Sequence, residues 1–360
     1  MRARGACPTL AAPMPTGDGW LARLSVAELS ADQLAGLAAA AARLGNGIVE
    51  VTARGSLQVR GLTLASAAEL GRALEGLGVA VADGVPVVIA PLAGIDPGEI
   101  ADSRPLAVAL RRGAAGLALL PKVSVVVDGG GTLHLDGVSA DLRLVAVEAG
   151  RWRLVVGDAR VVGTCDADAA VEAALALLTT MAERRVRGRD LAPGDRLPVR
   201  AAAEPVGRLG AARGLGLPFG QAEAAMLAGL AAAAGAASFR PAPGRALVVV
   251  GADDAALLAA ARRLGFVVAS DDPRRAVVAC PGAPACGSAL LPTRALAAAL
   301  TGIADGWTLH LSGCDKRCAQ PAGRAVTLVG TAAGWELSGE GMAVPVGLAA
   351  RLAAVMGRPE

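Results

Sequence analysis

Four of the six cysteines lie between residues 280 and 318, and this cluster restricts the fold more than any other feature of the chain. Cys280 and Cys286 occur in VVACPGAPACGSAL with a C-x5-C spacing, and Cys314 and Cys318 occur in HLSGCDKRCAQPAG with a C-x3-C spacing. Each pair directly follows a run of residues typical of a strand. If the four thiols hold one centre, the fold must bring the ends of two strands, and the loops after them, together.

The residues around these cysteines favour an iron–sulfur centre. Pro and Gly make both segments loops, so the thiolates can converge without the directions that a helix imposes. Four thiolates suit either a multi-iron cluster or zinc, but structural zinc sites usually have two to four residues between paired ligands. The five-residue gap therefore favours a cluster, and zinc or unligated thiols are the alternatives. Cys7 and Cys165 stand alone, and we interpret both as inert thiols.

Charge and composition argue against several other classes of protein. The net charge is +3, the basic residues are scattered, and the chain has three Phe, four Trp and no Tyr. It therefore lacks the basic surface and the aromatic platform of a nucleic-acid-binding protein. The uncharged run 224–239 is too short and too rich in Ala and Gly to span a membrane. No apolar segment follows the N-terminal arginines, so we expect no secretory signal and a cytoplasmic location.

Two halves of the chain look like distant copies of each other. ADQLAGLAAAAARL leads into GIVEVTARGSLQVRG in the first half, and QAEAAMLAGLAAAAGA leads into SFRPAPGRALVVVG in the second. Residues 103–110 resemble 292–300, and the run 117–129 falls where the second half has TLHLSGCDKRC. The charged, Gly- and Pro-rich segment 186–206 is typical of a linker between the halves. The pattern predicts an α+β protein with a pseudo-twofold axis and a site at the interface of the halves.

Hydrophobic periodicity predicts the positions of the main helices and strands. Helices are predicted at 31–44, 167–185, 221–235, 253–264 and 345–356. Strands are predicted at 47–51, 57–60, 123–127, 153–156, 246–250, 275–279, 307–311 and 325–329.

The segment VTARGSLQVRG carries polar side chains that predict an anion-binding surface. If it is extended throughout, Arg54, Gln58 and Arg60 point to one face because strand side chains alternate. Arginine binds carboxylates through two parallel hydrogen bonds and stays charged, so such a face suits a ligand with several carboxylates. A solvated strand face is the alternative interpretation.

The cysteine pattern resembles that of the nitrite and sulfite reductase superfamily. Residues 313–321 match its GC-x3-CA-x-P form, and the segment from Thr52 resembles the T-x-R-x-x-x-Q-x-[HR]-G sequence that binds the carboxylates of sirohaem. The resemblance implies a duplicated reductase-like fold with two ferredoxin-like half-domains and a [4Fe–4S] cluster on Cys280, Cys286, Cys314 and Cys318. In the reductases the last cysteine also bridges to sirohaem iron, and Cys318 occupies that position here.

The same resemblance implies four units in the chain. They are a ferredoxin-like half-domain at 1–65, a reductase-like α/β domain without cluster ligands at 66–190, a second half-domain at 200–265, and the cluster-binding α/β domain at 266–360.

Several basic residues match the superfamily only in part. Lys122 matches the first residue of a two-lysine motif whose second position is Ser124, and Arg23 matches one of two arginines of a family strand. The repeat suggests Arg240 and Arg245 as a comparable pair in the second half. Surface charge is the alternative for Arg23 and Arg245. The residues implied to bind tetrapyrrole carboxylates are Arg54, Gln58, Arg60, Lys122, Arg240 and Arg245.

Within the superfamily the chain is most similar to the precorrin-3B synthase family. The segment Gly5–Gly19 resembles a GACP-x-L-x-x-P-M-x-T-G-D-G sequence that we do not associate with the reductases, and the run 128–131 and SGCDKRCAQPA continue the match. The resemblance implies a monooxygenase that converts precorrin-3A to precorrin-3B by hydroxylation at C20 with O2, followed by γ-lactone formation. It also implies a [4Fe–4S] cluster, a mononuclear non-haem iron and electrons derived from NADH.

Two other functions stay open at this point. One is a sirohaem-dependent assimilatory sulfite or nitrite reductase, and the other is a non-catalytic protein stabilised by zinc. No G-x-G-x-x-G sequence opens a helix after a strand, so we expect a separate electron-donor reductase rather than NADH binding by this chain. His134 and His310 each alternate with leucines at corresponding points of the two halves, so both are interpreted as strand histidines. The ligands of a second iron are therefore not assigned.

Overall fold

The computed structural model describes residues 8–321 and 323–356, so Cys7 lies outside the described residues. The elements of the first half are β1 Met14–Thr16, β2 Gly19–Leu24, β3 Leu29–Ser30, α1 Ala31–Leu44, β4 Ile48–Val51, β5 Leu57–Leu62, α2 Leu64–Gly76, β6 Val87–Ile89, α3 Arg104–Gly113, β7 Val125–Asp128, β8 Leu142–Glu148, β9 Arg151–Val156, β10 Arg160–Asp166, α4 Ala167–Arg184 and α5 Gly188–Leu191. Those of the second half are β11 Gly207–Leu209, β12 Ala212–Gly216, β13 Gln221–Glu223, α6 Ala224–Ala234, β14 Ser238–Ala242, β15 Ala246–Val250, α7 Asp254–Arg263, β16 Val277–Ala279, α8 Thr293–Ala299, β17 Thr308–Ser312, β18 Ala325–Thr331, β19 Gly334–Glu340 and α9 Leu348–Met356. Two 3-10 turns occur at Pro218–Gly220 and Pro273–Ala276.

Two five-stranded antiparallel sheets exchange an edge strand. The first has the order β1-β2-β5-β4-β13, and the second has the order β11-β12-β15-β14-β3. Strand β13 of the second half thus completes the sheet of the first, and β3 of the first half completes the sheet of the second. Each exchanged strand leads directly into a helix, α6 or α1, and both helices contribute to one hydrophobic core that spans the two sheets. The two half-domains therefore form one body related by a pseudo-twofold axis.

Local sequence explains why the first of these helices forms where it does. Ser30 accepts a hydrogen bond from the backbone N–H of Gln33, and the Gln33 side chain accepts one from the backbone N–H of Ser30, which is a capping box. Leu34, Leu37 and Leu44 recur at the helical spacing on the buried side of α1. The helix covers the predicted residues 31–44, because its N-cap and its apolar stripe indicate the same start and the same buried side.

The other two sheets share one topology. Strands β6, β7 and β8 are parallel and continue into antiparallel β9 and β10, while β16, β17 and β18 are parallel and continue into antiparallel β19. Helix α3 lies between the first two strands of one sheet, and α8 lies between the first two of the other. The predicted correspondence of 103–110 with 292–300 is therefore confirmed, and so is the predicted α+β duplication.

The boundaries of the four predicted units stay predictions. The packing of α2 argues for moving the boundary at residue 65 towards the C-terminus. Leu70 and Leu74 of α2 are buried in the core of the half-domains, so this unit continues past residue 65 to the end of the helix. The predicted linker 186–206 includes α5, and Arg187 just before it forms an ion pair with Asp141 of the first half. Within the described residues, no helix is both long and apolar enough to cross a membrane.

Candidate functional site

The four cysteines lie on two loops that leave neighbouring parallel strands at the same edge of a sheet. Cys280 directly follows β16, and Cys314 lies two residues after the end of β17. The backbone N–H of Gly313 donates to the Cys280 sulfur at 3.2 Å, and the N–H of Leu290 donates to the Gly313 carbonyl at 2.6 Å. The two cysteine loops are thus joined to each other, as the sequence predicts for thiols that share a centre.

The thiols are close enough to affect one another. Burial raises the pKa of the Cys318 thiol, the Arg60 charge lowers it, and the other three thiols raise it further. Cys280 is buried, whereas Cys318 keeps exposed surface because it lies in the wall of a cleft. The four sulfurs therefore form one group, of which Cys318 is the exposed member.

The N-terminal segment closes over this group. The backbone N–H of Gly287 donates to the Gly17 carbonyl at 2.9 Å. A Cβ atom on Gly17 would lie 2.5 Å from the Cys286 sulfur and 2.7 Å from the Ser288 hydroxyl, which is closer than real Cβ atoms come. Residue 17 is a glycine because the cysteine loop occupies the space of a side chain.

The separation of the thiols is wider than zinc requires. In a tetrahedral site with Zn–S bonds of about 2.3 Å, the sulfurs lie about 3.8 Å apart. Within residues 8–321 and 323–356, the ligand atoms of three or more Cys, His, Asp or Glu side chains come within 4.8 Å of one another only at Asp128, His134 and Asp136. No three of the thiols meet that limit in this structure.

A cleft of about 330 Å³ lies between the cysteine loops and the polar face of the first sheet. Cys280 and Cys318 line one side of it. The opposite side is lined by polar side chains of β2, β4 and β5 and of a turn in the second half, namely Arg23, Glu50, Gln58, Arg60 and Arg245.

The predicted alternation is confirmed for two residues of β5. Leu57 and Val59 are buried in the core, while Gln58 and Arg60 line the cleft. In the register of the sheet, Gln58 lies between Arg23 of β2 and Glu50 of β4. In the amide orientation that gives both the oxygen and the nitrogen of Gln58 a hydrogen-bond partner, the oxygen accepts from Arg23 at 2.9 and 3.1 Å and the nitrogen donates to Glu50 at 2.9 Å.

The prediction that Arg54 shares this face is wrong, because residues 52–56 form a turn rather than an extended segment. Gly55 at the centre of the turn has φ +79°, which reverses the chain. The Arg54 guanidinium donates to the Ser139 carbonyl at 2.6 Å and to the Ser124 hydroxyl at 2.9 Å. It lines a different cavity of about 320 Å³, which Arg240 also lines.

Two of the predicted carboxylate-binding arginines already have carboxylate partners in the protein. Arg60 is buried, and it binds Asp18 through two hydrogen bonds of 2.8 Å and Glu50 through one of 3.1 Å. Arg240 pairs with Glu28 at 2.8 Å and donates to two backbone carbonyls of residues 91 and 93. Their charges are therefore largely balanced before any ligand binds.

Arg245 and Lys122 keep their cationic groups available. Arg245 lies in the turn between β14 and β15 and is half-buried. Its backbone carbonyl accepts from the Leu217 N–H at 3.0 Å, but its guanidinium has no hydrogen bond or ion pair with the residues that the structure describes. A Cβ atom on Gly220 would lie 2.7 Å from its side chain, so that glycine leaves room for it. Burial lowers the pKa of Arg245, and the charge of Glu50 offsets part of this. Lys122 is exposed and lines a third cavity, of about 360 Å³, together with Arg23.

The two histidines occupy different positions, so the prediction that they are equivalent strand histidines is wrong for His134. His310 lies in β17, is fully buried, and contacts the Thr327 hydroxyl at 3.2 Å through Nδ1. Burial lowers the pKa of His310 to about 4, and its Nε2 has no partner among the described residues. His134 lies in the loop between β7 and β8. The counterpart of β17 in the first half is β7, which ends before His134.

Three ligand-type side chains meet at that loop. Asp128 is buried and accepts from the backbone N–H groups of Gly130 and Leu135, at 2.9 and 2.7 Å. His134 Nδ1 lies 3.8 Å from Asp136, whose carboxylate also accepts from an exposed arginine, Arg200, at 2.7 Å. One imidazole and two carboxylates can bind a divalent ion, although the arginine competes for one of them.

Sequence reasoning missed the acidic side chains of the cleft. Asp18 and Glu50 surround Arg60, yet neither stands out in the sequence, because Asp18 lies 42 residues away from its partner. The signal that could have found Glu50 is its register: a charged residue within the otherwise apolar β4 must face the same side as Gln58 and Arg60.

Comparison with known proteins agrees with this architecture. Residues 12–77 match the family model of the nitrite/sulfite reductase ferredoxin-like half domain. The solved structure of the NirA protein of Mycobacterium tuberculosis superimposes with a TM-score of 0.66 at 19% identity, covering 89% of this chain and 73% of that one. The chain therefore has the fold of the nitrite/sulfite reductases.

A closer relative is the precorrin-3B synthase of Sinorhizobium sp, which is 42% identical over 385 aligned positions, covering 94% of this chain and 83% of the relative. The chain therefore belongs to the precorrin-3B synthase family, and it is an enzyme.

Proposed function

We propose that this enzyme converts precorrin-3A to precorrin-3B in aerobic cobalamin biosynthesis. In this reaction O2 hydroxylates C20 of the tetrapyrrole, and an acetate side chain then closes a γ-lactone. The observation that carries the proposal is the cleft of about 330 Å³, which has cysteine thiols on one side and a polar, arginine-bearing sheet face on the other. A redox centre held by these thiols would lie beside a surface suited to a carboxylate-rich ligand.

The cysteine group fits a [4Fe–4S] cluster. Cys280, Cys286, Cys314 and Cys318 would hold it, since thiolates are the usual ligands of such clusters. The Gly313 N–H already donates to a cysteine sulfur, as N–H groups do around clusters. When bound, the cluster supplies one-electron transfer. The absence of a nucleotide-binding sequence supports a separate reductase as the source of these electrons, derived ultimately from NADH.

The substrate would extend across neighbouring cavities, because a tetrapyrrole with acetate and propionate arms is larger than the cleft alone. Arg23 lines both the cleft and the cavity that contains Lys122, and Ser25 lines both that cavity and the one that contains Arg54. Arg245 and Lys122 carry charges available to carboxylates, whereas Arg60 and Arg240 support the surface through their own ion pairs. Arg54 and Gln58 complete the proposed carboxylate-binding set.

A mononuclear non-haem iron is also part of the proposal. Asp128, His134 and Asp136 are the candidate ligands, since their donor atoms lie within 4.8 Å of one another. Iron analysis of a His134→Ala protein tests this directly: loss of one iron per chain with the cluster absorption intact supports the assignment, and an unchanged iron content overturns it. We further propose a cytoplasmic enzyme that binds neither nucleic acid nor a membrane.

The deciding experiment is incubation of the anaerobically purified enzyme with precorrin-3A, a reductant and labelled dioxygen. We expect one labelled oxygen atom in the product and water as the other oxygen product. Unlabelled or unchanged tetrapyrrole would overturn the proposal.

A sirohaem-dependent reductase is the second candidate, and the exposed surface of Cys318 in the cleft is the observation that favours it. The two candidates differ in colour. A protein that binds only an iron–sulfur cluster has a broad brown absorption, whereas bound sirohaem adds a strong Soret-type band.

A further inference from the structure

Two carboxylates bind the same arginine but meet different surroundings. Asp18 uses both of its oxygens on Arg60, its side chain has no exposed surface, and it does not line the cleft. Glu50 lines the cleft and keeps 15% of its side-chain surface exposed. One carboxylate is therefore enclosed by protein, and the other faces the site of the proposed reaction.

The two oxygens of Glu50 also differ from each other. Oε2 accepts from Arg60 at 3.1 Å and from the Gln58 amide at 2.9 Å. Oε1 accepts no hydrogen bond from the residues that the structure describes. Because Oε2 is held on the side of Arg60 and Gln58, Oε1 is the oxygen that a molecule in the cleft can reach.

The pKa values of these two carboxylates are shifted in opposite directions. For Asp18, burial would raise the pKa, but the hydrogen bonds and charge of Arg60 outweigh it and the pKa is lowered. For Glu50, burial raises the pKa, the charges of Arg60 and Arg245 offset only part of this, and Asp18 adds to the increase. Among the described residues, Arg23 is linked to the Glu50 carboxylate through the Gln58 amide. Paired carboxylates with pKa values pushed apart are the usual arrangement for a site that must hold a proton on one of them.

We propose that Glu50 is a catalytic acid that transfers a proton from Oε1 to the oxygen atom that leaves as water during hydroxylation in the cleft. This inference depends on the proposed function. The balanced reaction consumes one substrate C–H bond, one O2, two electrons from the external reductant and two protons, and it yields one C–OH bond and one water. One of the two protons passes through Glu50, which regains it from solvent through the open side of the cleft.

The test compares Glu50→Gln with Asp18→Asn. Each substitution removes one carboxylate charge from Arg60 and keeps the size of the side chain, but only the first removes the acid that faces the cleft. General acids typically contribute 10²–10⁴-fold to a rate, so we expect kcat of the Glu50→Gln enzyme to fall about 100-fold or more. Its ratio of product formed to O2 consumed should fall as well, because oxygen reduction without a proton donor releases reduced oxygen species.

The pH profile separates a catalytic from a structural role. An acid must be protonated to act, so kcat of the wild-type enzyme should fall as the pH rises through the raised pKa of Glu50. This limb should be absent from Glu50→Gln, and it should be present in Asp18→Asn and, at reduced rate, in Glu50→Asp. Cluster absorption and the thermal midpoint show whether each variant is folded.

Equal losses in Glu50→Gln and Asp18→Asn, with the same pH profile in both, would overturn the inference and leave the proposed function intact. A wild-type enzyme that incorporates no labelled oxygen would overturn both.

Discussion

Substitution of Gly17 by alanine gives a direct test of how the N-terminal segment supports the cysteine group. The added Cβ would lie 2.5 Å from the Cys286 sulfur and 2.7 Å from the Ser288 hydroxyl, so the cysteine loop or the segment of residue 17 must move. Gly17 has no positive φ, so the alanine causes no backbone strain and the effect is purely steric. Overpacking of this kind costs about 1–3 kcal/mol.

Displacement of Cys286 should affect the cluster before it affects the fold. We expect the Gly17→Ala protein to contain less iron and sulfide per chain than wild type, and to lose its brown absorption faster in air. A cost of about 2 kcal/mol in a chain of this size should lower the thermal midpoint by a few degrees.

Gly163→Ala is the matched control, because a Cβ there meets nothing within 4 Å and its φ is not positive. Iron content, absorption and midpoint should be unchanged in this variant. If Gly17→Ala also binds a full cluster with the midpoint of wild type, the cysteine loop does not occupy the position described here and the reasoning fails.

Three other predictions follow from buried or available charges. Arg60→Met leaves both carboxylate partners without their cation and should cost about 3–5 kcal/mol in chemical denaturation; a loss below 1 kcal/mol would contradict the assigned ion pairs. His310 has a pKa lowered to about 4 in the folded state, so the unfolded chain binds more protons between about pH 6.5 and 4. The free energy of unfolding should therefore fall by up to about 3 kcal/mol as the pH drops through this window. His310→Gln should remove this pH dependence. A variant that keeps the full pH dependence would refute the lowered pKa of His310. Arg245→Gln should raise KM for the tetrapyrrole about 10-fold or more, because a charge-assisted contact is lost. Arg262→Gln, on the exposed side of α7, is the control and should leave KM unchanged. Equal KM values in the two variants would exclude a contact between Arg245 and the substrate.

Much of the site could be predicted because short-range patterns determine it. Both cysteine pairs follow predicted strands, and neighbouring parallel strands end at the same edge of a sheet. The pattern therefore brings the two pairs together as soon as these strands are neighbours in one parallel sheet. The alternation of Gln58 and Arg60 follows from the period of a strand. The helix α2, which was not predicted, had a readable signal in the capping box from Thr63 to Ser66.

The remaining features depend on contacts between distant parts of the chain. Strand β13 was predicted as the start of a helix because its residues continue an Ala-rich run, and it becomes a strand only by pairing with β4. Arg54 leaves the common face because a glycine turn interrupts its strand, and its partners Ser124 and Ser139 are 70 and 85 residues away. Tertiary pairing overrides local preference in both cases.

The exchange of edge strands between the half-domains sets the order in which this protein can fold during synthesis. The sheet that contains β4 is complete only after residues 221–223 have been synthesised and pair with β4. Strand β3 finds its partner only after residues 238–239 have been synthesised. Until then the emerging first half presents an unpaired strand edge, which is the kind of surface that joins wrong partners. The β6–β10 sheet is built only from strands of the first half. We therefore expect the first α/β domain to fold earlier during synthesis than the half-domains, although one half-domain precedes it in the sequence.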